Sequence, residues 1–167
     1  LGSTLNKHCL YERDQVLDIF ISAVNFLGSL PDSPFLYIEN NPLSYSNFKS
    51  FGANPFIFCE SSDLYIFDRI NFNCRPLVDI AHLYVSCSTL NVSFSSHLEN
   101  FLRLTDYVHF SSNDGKEDLN QGVNFSPRLI SQINWNHLKG KTITLEIYKD
   151  INTILESKSF LEKQINV

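Results

Sequence analysis

Short apolar runs alternate with longer segments of helical spacing along the chain. Strands are predicted at Pro34–Ile38, Pro76–Val78, Asp106–Phe110 and Thr142–Leu145, and Leu1–Cys9 is expected to contain the end of a fifth. The runs are rich in aromatic and branched side chains, and turn residues bound them, which is typical of buried strands. Repeated strand–helix order predicts a parallel sheet with helices packed outside it.

The intervening segments predict helices and loops. Helices are expected at Tyr11–Leu30, Ser61–Asn71, His97–Leu104, Ser126–Leu138 and Asn152–Ile165. The first has the longest apolar stripe and stops at Gly28 and Pro31. Propensity favours a strand at Leu64–Phe67, but a helix there preserves the alternation. Ser44–Asn54 and the polar stretch from Asp79 to Ser96 are interpreted as loops, the first with room for a helical turn.

Charge and composition limit the classes of function that the protein can have. The 167 residues suffice for one domain with a core, and the hydrophobic content of 43% is ordinary for a globular protein. The formal net charge is −5, and the 13 Lys and Arg residues are scattered. This argues against nucleic acid as a partner, because phosphate-binding domains carry clustered basic residues.

The cysteines and the start of the sequence indicate which cellular compartment and which kind of processing to expect. The four cysteines, Cys9, Cys59, Cys74 and Cys87, lack C-x-x-C spacing, so we expect free thiols and a cytoplasmic protein rather than a zinc site. No stretch approaches the roughly 20 apolar residues of a membrane span. The sequence starts without Met or a signal pattern, so we expect a fragment, a processed form or a chain that begins mid-protein.

Four predicted strands end at a residue that can bind a metal: Glu39, Asp79, His109 and Glu146. In parallel α/β folds the carboxyl ends of the strands converge on one site, so these side chains are expected to meet. Three carboxylates and one imidazole suit Mn²⁺, Mg²⁺, Co²⁺ or Zn²⁺. His82 follows Asp79 by three residues. The alternative for this pair is an Asp that caps a helix, with a packed His beneath it.

These residues resemble a known family. Ile38-Glu39-Asn40, Asp79-Ile-Ala-His82, Val108-His109-Phe-Ser-Ser-Asn-Asp-Gly and Leu145-Glu146 are similar, in order and spacing, to the xylose-isomerase-like barrels. That superfamily includes sugar-phosphate isomerases, ketose 3-epimerases and apurinic endonucleases. The resemblance covers roughly Leu5 to Ile147 and implies a TIM-type (β/α)8 barrel. Since about five strands are predicted, the chain would be one partial domain, the C-terminal portion of such a barrel.

The resemblance implies a divalent-metal-dependent sugar or sugar-phosphate isomerase or epimerase acting through an enediolate. Glu39, Asp79, His109 and Glu146 would be the metal ligands, and the two glutamates would also exchange protons. His82 would contact a substrate oxygen. His8 would be a further ligand or substrate histidine, although a loop histidine without a role explains it equally well.

The sequence departs from the family pattern at two places. Ser112 stands where an acidic residue is usual, and Asp118-Leu-Asn120 replaces the Asp-x-His of the endonucleases. This weakens the alternative of a metal-dependent phosphodiesterase acting on abasic DNA. Lys116 and Asp118 could contact a phosphate or hydroxyl, or lie in a solvated loop.

A third alternative is a non-catalytic barrel used for binding or assembly. A barrel lacking strands exposes two sheet edges. A homo-oligomer or a missing N-terminal segment would complete it.

Overall fold

The computed structural model describes residues 11–165, and these contain one four-stranded parallel sheet. The strands are β1 (Leu36–Glu39), β2 (Cys74–Asp79), β3 (Tyr107–Phe110) and β4 (Thr142–Leu145). They pair in chain order, and each neighbouring pair is parallel. The α/β class and four of the predicted strands are therefore confirmed. The region of the fifth lies outside the described residues.

Helices connect the strands. They are α1 (Arg13–Gly28), α2 (Tyr45–Phe51), α3 (Ile80–Leu90), α4 (Phe94–Leu104), α5 (Pro127–Ile130) and α6 (Ile151–Ile165). Among the described residues, 3-10 helices lie at Ser61–Arg69, Val123–Phe125 and Trp135–Leu138. Within residues 11–165, no helix combines the length and the apolar character required to cross a lipid bilayer.

The first helix is present, but its buried face differs from the expected apolar stripe. Of Val16, Ile19, Phe20, Ala23, Val24 and Leu27, only Val24 is buried. Leu17, Ile21 and Val24 are its buried residues, and they lie on one face. The helix ends at Gly28, where a Cβ atom would lie 2.1 Å from Cγ of Phe72. A glycine is required there because the Phe72 ring occupies the space of any side chain.

The loop interpretation after Asp79 is wrong. That stretch begins with α3, whose residues from Ile80 to Cys87 are buried except for His82. Its hydroxyl groups look solvated in the sequence, but Ser86 Oγ donates to the Asn41 carbonyl and accepts from the Leu43 backbone NH at 2.8 Å. These bonds satisfy a buried serine, so the polar sequence is compatible with a core helix.

Two other segments also differ from their predictions, and a third is helical as predicted. Ser44–Asn54 contains a full helix, α2, which Ser44 caps at Asn47 and Gly52 ends in a left-handed conformation. Within the helix predicted at Ser61–Asn71, the structure has a 3-10 helix at Ser61–Arg69, so the segment is helical rather than a strand. Ser126–Leu138 is broken into α5 and a 3-10 helix that begins at Trp135, where the Asn134 side chain caps the new helix by accepting from the Asn136 backbone NH.

The core lies between the sheet and its helices. Val78, Val108 and Phe110 have no exposed surface, and α3 and α4 pack on this side of the sheet. On the opposite side, Tyr37 and Arg75 are partly exposed. β1 and β4 each have one edge with no strand partner among residues 11–165. The described part is therefore an open sheet, and closure into a barrel is not part of it.

Candidate metal and substrate site

Four side chains meet at the carboxyl ends of the four strands. Glu39 ends β1, Asp79 ends β2, His109 lies within β3, and Glu146 directly follows β4. Each offers one ligand atom, and these four atoms all lie within 4.8 Å of one another. The expected convergence is thus present, because the parallel register places Asp79 opposite His109 and carries Glu146 alongside Phe110.

Asp79 is both a helix cap and a member of this cluster. Its Oδ1 accepts from the His82 backbone NH at 2.7 Å, so the capping interpretation is correct. Its Oδ2 is buried and has no hydrogen-bond partner among the described residues. Burial raises the pKa of Asp79 to about 6, although the nearby His82 opposes the increase. One carboxylate oxygen is therefore fixed by the fold, and the other is left for a ligand.

The side chain of Asn40 holds the Asp79 backbone in place. Asn40 is 1% exposed. Its Oδ1 accepts from the Asp79 backbone NH at 2.7 Å, and its Nδ2 donates to the Asp79 carbonyl at 3.2 Å. This amide extends the pairing of β1 and β2 by one residue beyond the last strand pair. Sequence reasoning missed it, and the only available signal was its position directly after Glu39.

His109 and the two glutamates form the rest of the cluster. His109 Nδ1 lies 2.9 Å from Glu146 Oε2 and 3.5 Å from Glu39 Oε1. Neither oxygen is aligned for a hydrogen bond, so this buried nitrogen has no hydrogen-bond partner among residues 11–165. Tyr148 donates its hydroxyl to Glu146 Oε1 at 2.7 Å, an interaction that sequence reasoning also missed.

His82 lies beside the cluster, and both of its ring nitrogens have partners. Nδ1 lies 2.9 Å from the Asn40 carbonyl and 3.4 Å from Glu39 Oε1, while Nε2 lies 3.2 Å from Asp118 Oδ2. Burial lowers the pKa of His82, but the hydrogen bond to Asp118 and the charges of Asp79 and Asp118 outweigh it. The resulting pKa is about 9. The imidazolium form is thus stabilised next to the glutamates.

Asp118 reaches His82 from the long segment between β3 and β4. Ser112 and Gln121 exchange two backbone hydrogen bonds of 2.9 Å at the base of this segment. Asn120 has a positive φ of 47°, and its side chain accepts from Ser111 Oγ. Ser112 is fully buried, and its hydroxyl has no partner among the described residues. The segment is therefore built into the fold at its base, and Asp118, although exposed, contacts His82.

The remaining predicted site residue is His8, which lies outside the described residues. The structure brings together the four predicted ligands and sets His82 next to them. Their roles as ligands, acid and base stay predictions.

The donor set fits a divalent ion. Two buried atoms without hydrogen-bond partners, Asp79 Oδ2 and His109 Nδ1, belong to the residues of one cluster. Buried polar atoms are normally paired, so two such atoms in the same place indicate a missing partner. One is a carboxylate oxygen and the other an imidazole nitrogen, and both can donate a lone pair to the same divalent cation.

The comparisons with known proteins support the fold. The chain is similar to a solved structure described as a D-tagatose 3-epimerase-like protein, with a TM-score of 0.53 and 13% sequence identity. The match covers 99% of this chain and 75% of that chain. No protein-family model and no curated protein matches the sequence. The likeness therefore supports a partial barrel-type α/β fold, the class expected from the resemblance.

Proposed function

We propose that this chain carries the active site of a divalent-metal-dependent sugar or sugar-phosphate isomerase or epimerase. The observation that carries the proposal is the convergence of Glu39, Asp79, His109 and Glu146, with two unpartnered buried atoms among them. The fold likeness to an epimerase-like protein agrees with it. Mn²⁺, Mg²⁺, Co²⁺ and Zn²⁺ all suit this donor set.

The four ligands differ in what they can reach. Asp79 is fully buried and fixed by its capping bond, so it can bind a metal but cannot approach a substrate carbon. The side chains of Glu39 and Glu146 are 37% and 26% exposed. They open to the space that a substrate would occupy, and we assign proton transfer to these two.

The proposed reaction is a proton transfer at the carbon next to a carbonyl. The bound divalent ion would polarise that carbonyl and stabilise the negative charge that develops on its oxygen. One glutamate would take the proton from the carbon, and the C–H bonding pair would move toward the carbonyl oxygen. The other glutamate would return a proton to the opposite face of the same carbon, which inverts the centre. Return of the proton to the former carbonyl carbon, with transfer of the neighbouring hydroxyl proton to the former carbonyl oxygen, would instead move the carbonyl. A carboxylate between two histidines, such as Glu39, is suitably placed for this exchange.

His82 would bind a substrate oxygen. Its Nε2 now faces Asp118, so a substrate hydroxyl must either displace that carboxylate or bind beside it. Asp118 is a hydrogen-bond acceptor, so it could itself bind a substrate hydroxyl when His82 contacts both Asp118 and the substrate. We therefore propose Asp118 and His82 together as the hydroxyl-binding side of the site.

Metal binding is the direct test. Metal-free protein is titrated with Mn²⁺ and Co²⁺ by calorimetry, and deuterium exchange next to the carbonyl of ketoses is followed by NMR in D2O. We expect one bound ion per chain. Glu146→Gln should weaken binding by at least about 10–100-fold, the typical cost of losing a partner outside the ligand shell, because it removes the charge of a ligand itself.

The matched control is Glu162→Gln, which changes an exposed carboxylate paired only with Lys158 on α6. It should leave metal affinity unchanged. Equal affinity in the wild type and in Glu146→Gln would contradict the metal site. Metal binding without deuterium exchange into any ketose or ketose phosphate would contradict the proposed reaction while leaving the site intact.

Completion of the barrel requires additional strands, since the described sheet has two open edges. We propose that either a preceding segment or a second copy of the chain supplies them. Light scattering distinguishes these two possibilities, because a monomer in solution contradicts closure by a second copy.

A further inference from the structure

We infer that a groove away from the metal cluster binds a small phosphate-bearing anion. The groove has a volume of about 620 Å³ and lies among α3, α5 and the segment between β3 and β4. Its walls include Tyr45, Tyr84, Ser88, Lys116, Arg128 and Gln132. It shares no lining residue with the cluster or with His82 and Asp118, so the inference does not depend on the proposed function.

Two cationic side chains, Lys116 and Arg128, line this groove. No side-chain hydrogen bond or ion pair joins Lys116 or Arg128 to any of residues 11–165. By contrast, Arg13, Arg69, Arg75 and Arg103 all bind carboxylates. Two cations without side-chain partners among residues 11–165 line one concave surface, and their charge complements that of a phosphate group.

The groove also contains two carboxylates, and the local structure already uses both. Asp114 Oδ1 accepts from the backbone NH groups of Lys116 and Glu117, at 2.8 and 3.2 Å. Glu117 Oε1 accepts from Ser46 Oγ at 3.2 Å. One carboxylate oxygen of each acidic residue therefore already accepts a hydrogen bond. The Lys116 ammonium and the Arg128 guanidinium groups remain available to a ligand.

The wall that carries Lys116 is held firmly against α3. Gly115 has a φ of +78°, and a Cβ atom there would lie 2.8 Å from Ser88 Oγ and 3.0 Å from the Tyr84 ring. Asn113 donates to the Ala81 carbonyl and accepts from the Gly115 backbone NH. The turn therefore fixes where the Lys116 backbone lies, so the position is organised before any ligand arrives.

Neutral side chains also line the groove, where they would contact hydroxyl or ring atoms of a larger anion. Tyr84 is 5% exposed and lines the groove, and its hydroxyl makes no hydrogen bond within residues 11–165. Thr89 Oγ1, in the same wall, is buried without a partner among those residues. Tyr45 is 60% exposed and offers an aromatic surface. A free phosphate and the phosphate group of a larger molecule share the recognised chemistry.

The test is binding of inorganic phosphate and phenyl phosphate to metal-free protein, at an ionic strength held constant with NaCl. NMR titration or calorimetry gives the dissociation constants. We expect saturable phosphate binding, weakened about tenfold by Lys116→Gln and about tenfold by Arg128→Gln, since each removes a charge-assisted contact. Tighter binding of phenyl phosphate would identify an organic phosphate, and equal binding a free anion.

Two controls make the result decisive. Lys49→Gln removes an exposed cation on α2 that does not line the groove, and it should leave the affinity unchanged. Glu146→Gln should also leave it unchanged, so failure of the metal site would not affect this outcome. The inference is overturned if phosphate does not bind, or if Lys49→Gln weakens binding as much as the two groove variants do.

Discussion

Replacing Asn40 tests how the fold positions its most buried carboxylate. In Asn40→Ala the backbone NH and carbonyl of Asp79 both lose their partners. Asp79 is fully buried and Asn40 is 1% exposed, so water does not readily replace the amide. Leaving one buried polar group unsatisfied costs about 1–3 kcal/mol. For two groups, with partial relaxation, we expect a loss of about 2–4 kcal/mol in the free energy of unfolding.

The neighbouring Asn41 provides a matched control. Its side chain donates a single exposed hydrogen bond, to the Ile57 carbonyl at 2.9 Å. Its backbone bonds to Phe58 and Ser86 do not involve the side chain. Asn41→Ala should therefore cost only about 0.5–1 kcal/mol. Urea unfolding monitored by circular dichroism measures both variants, with the m-value used to check that the transition stays two-state.

A third variant, Asn40→Asp, separates hydrogen bonding from packing. It keeps the acceptor for the Asp79 backbone NH but places a second oxygen against the Asp79 carbonyl, where the amide nitrogen lies now. At neutral pH it should be at least as unstable as Asn40→Ala, because it also adds a buried negative charge. The reasoning is refuted if Asn40→Ala loses no more stability than Asn41→Ala, or if Asn40→Asp equals the wild type.

Two further outcomes follow from packing and burial. Gly28→Ala should lower the free energy of unfolding, measured in urea, by about 1–3 kcal/mol, because its Cβ would lie 2.1 Å from Phe72 Cγ. This cost should exceed the gain from the better helix propensity of alanine. Equal stability of the variant and the wild type would show that Phe72 moves aside freely. Burial raises the pKa of Cys59 and of Cys87 to about 12, so at pH 8 both thiols should react slowly with iodoacetamide in the folded Cys9→Ser variant and quickly in urea, as mass spectrometry would show. Rapid labelling of the folded protein would contradict their burial.

The sheet and the convergence of the ligands could be predicted from the sequence. β4 has the predicted bounds, and Glu39, Asp79 and Glu146 each lie at a strand end. These features are local, since each apolar run and its terminal acid are adjacent in the chain. Parallel pairing then makes the acids neighbours without any long-range information.

The elements that sequence reasoning missed depend on long-range partners. α3 looked like a loop because its serine and cysteine residues are polar or ambiguous by type. In the structure Ser86 is satisfied by backbone groups of residues 41 and 43, which the sequence cannot reveal. The pairing of Asp118 with His82 spans 36 residues, and it depends on how the segment after β3 turns at Gly115.

The segment between β3 and β4 faces both proposed sites, with Lys116 in the phosphate groove and Asp118 against His82. Backbone bonds between Ser112 and Gln121 hold its base, and Asn113 ties it to α3 through the Ala81 carbonyl. A ligand at one site can change affinity at the other by shifting this segment. Because the fold anchors it at these points, we expect phosphate to change metal affinity by less than about fivefold, the lower limit of typical allosteric coupling. A larger change, measured by titrating Mn²⁺ with and without saturating phosphate, would contradict this rigidity.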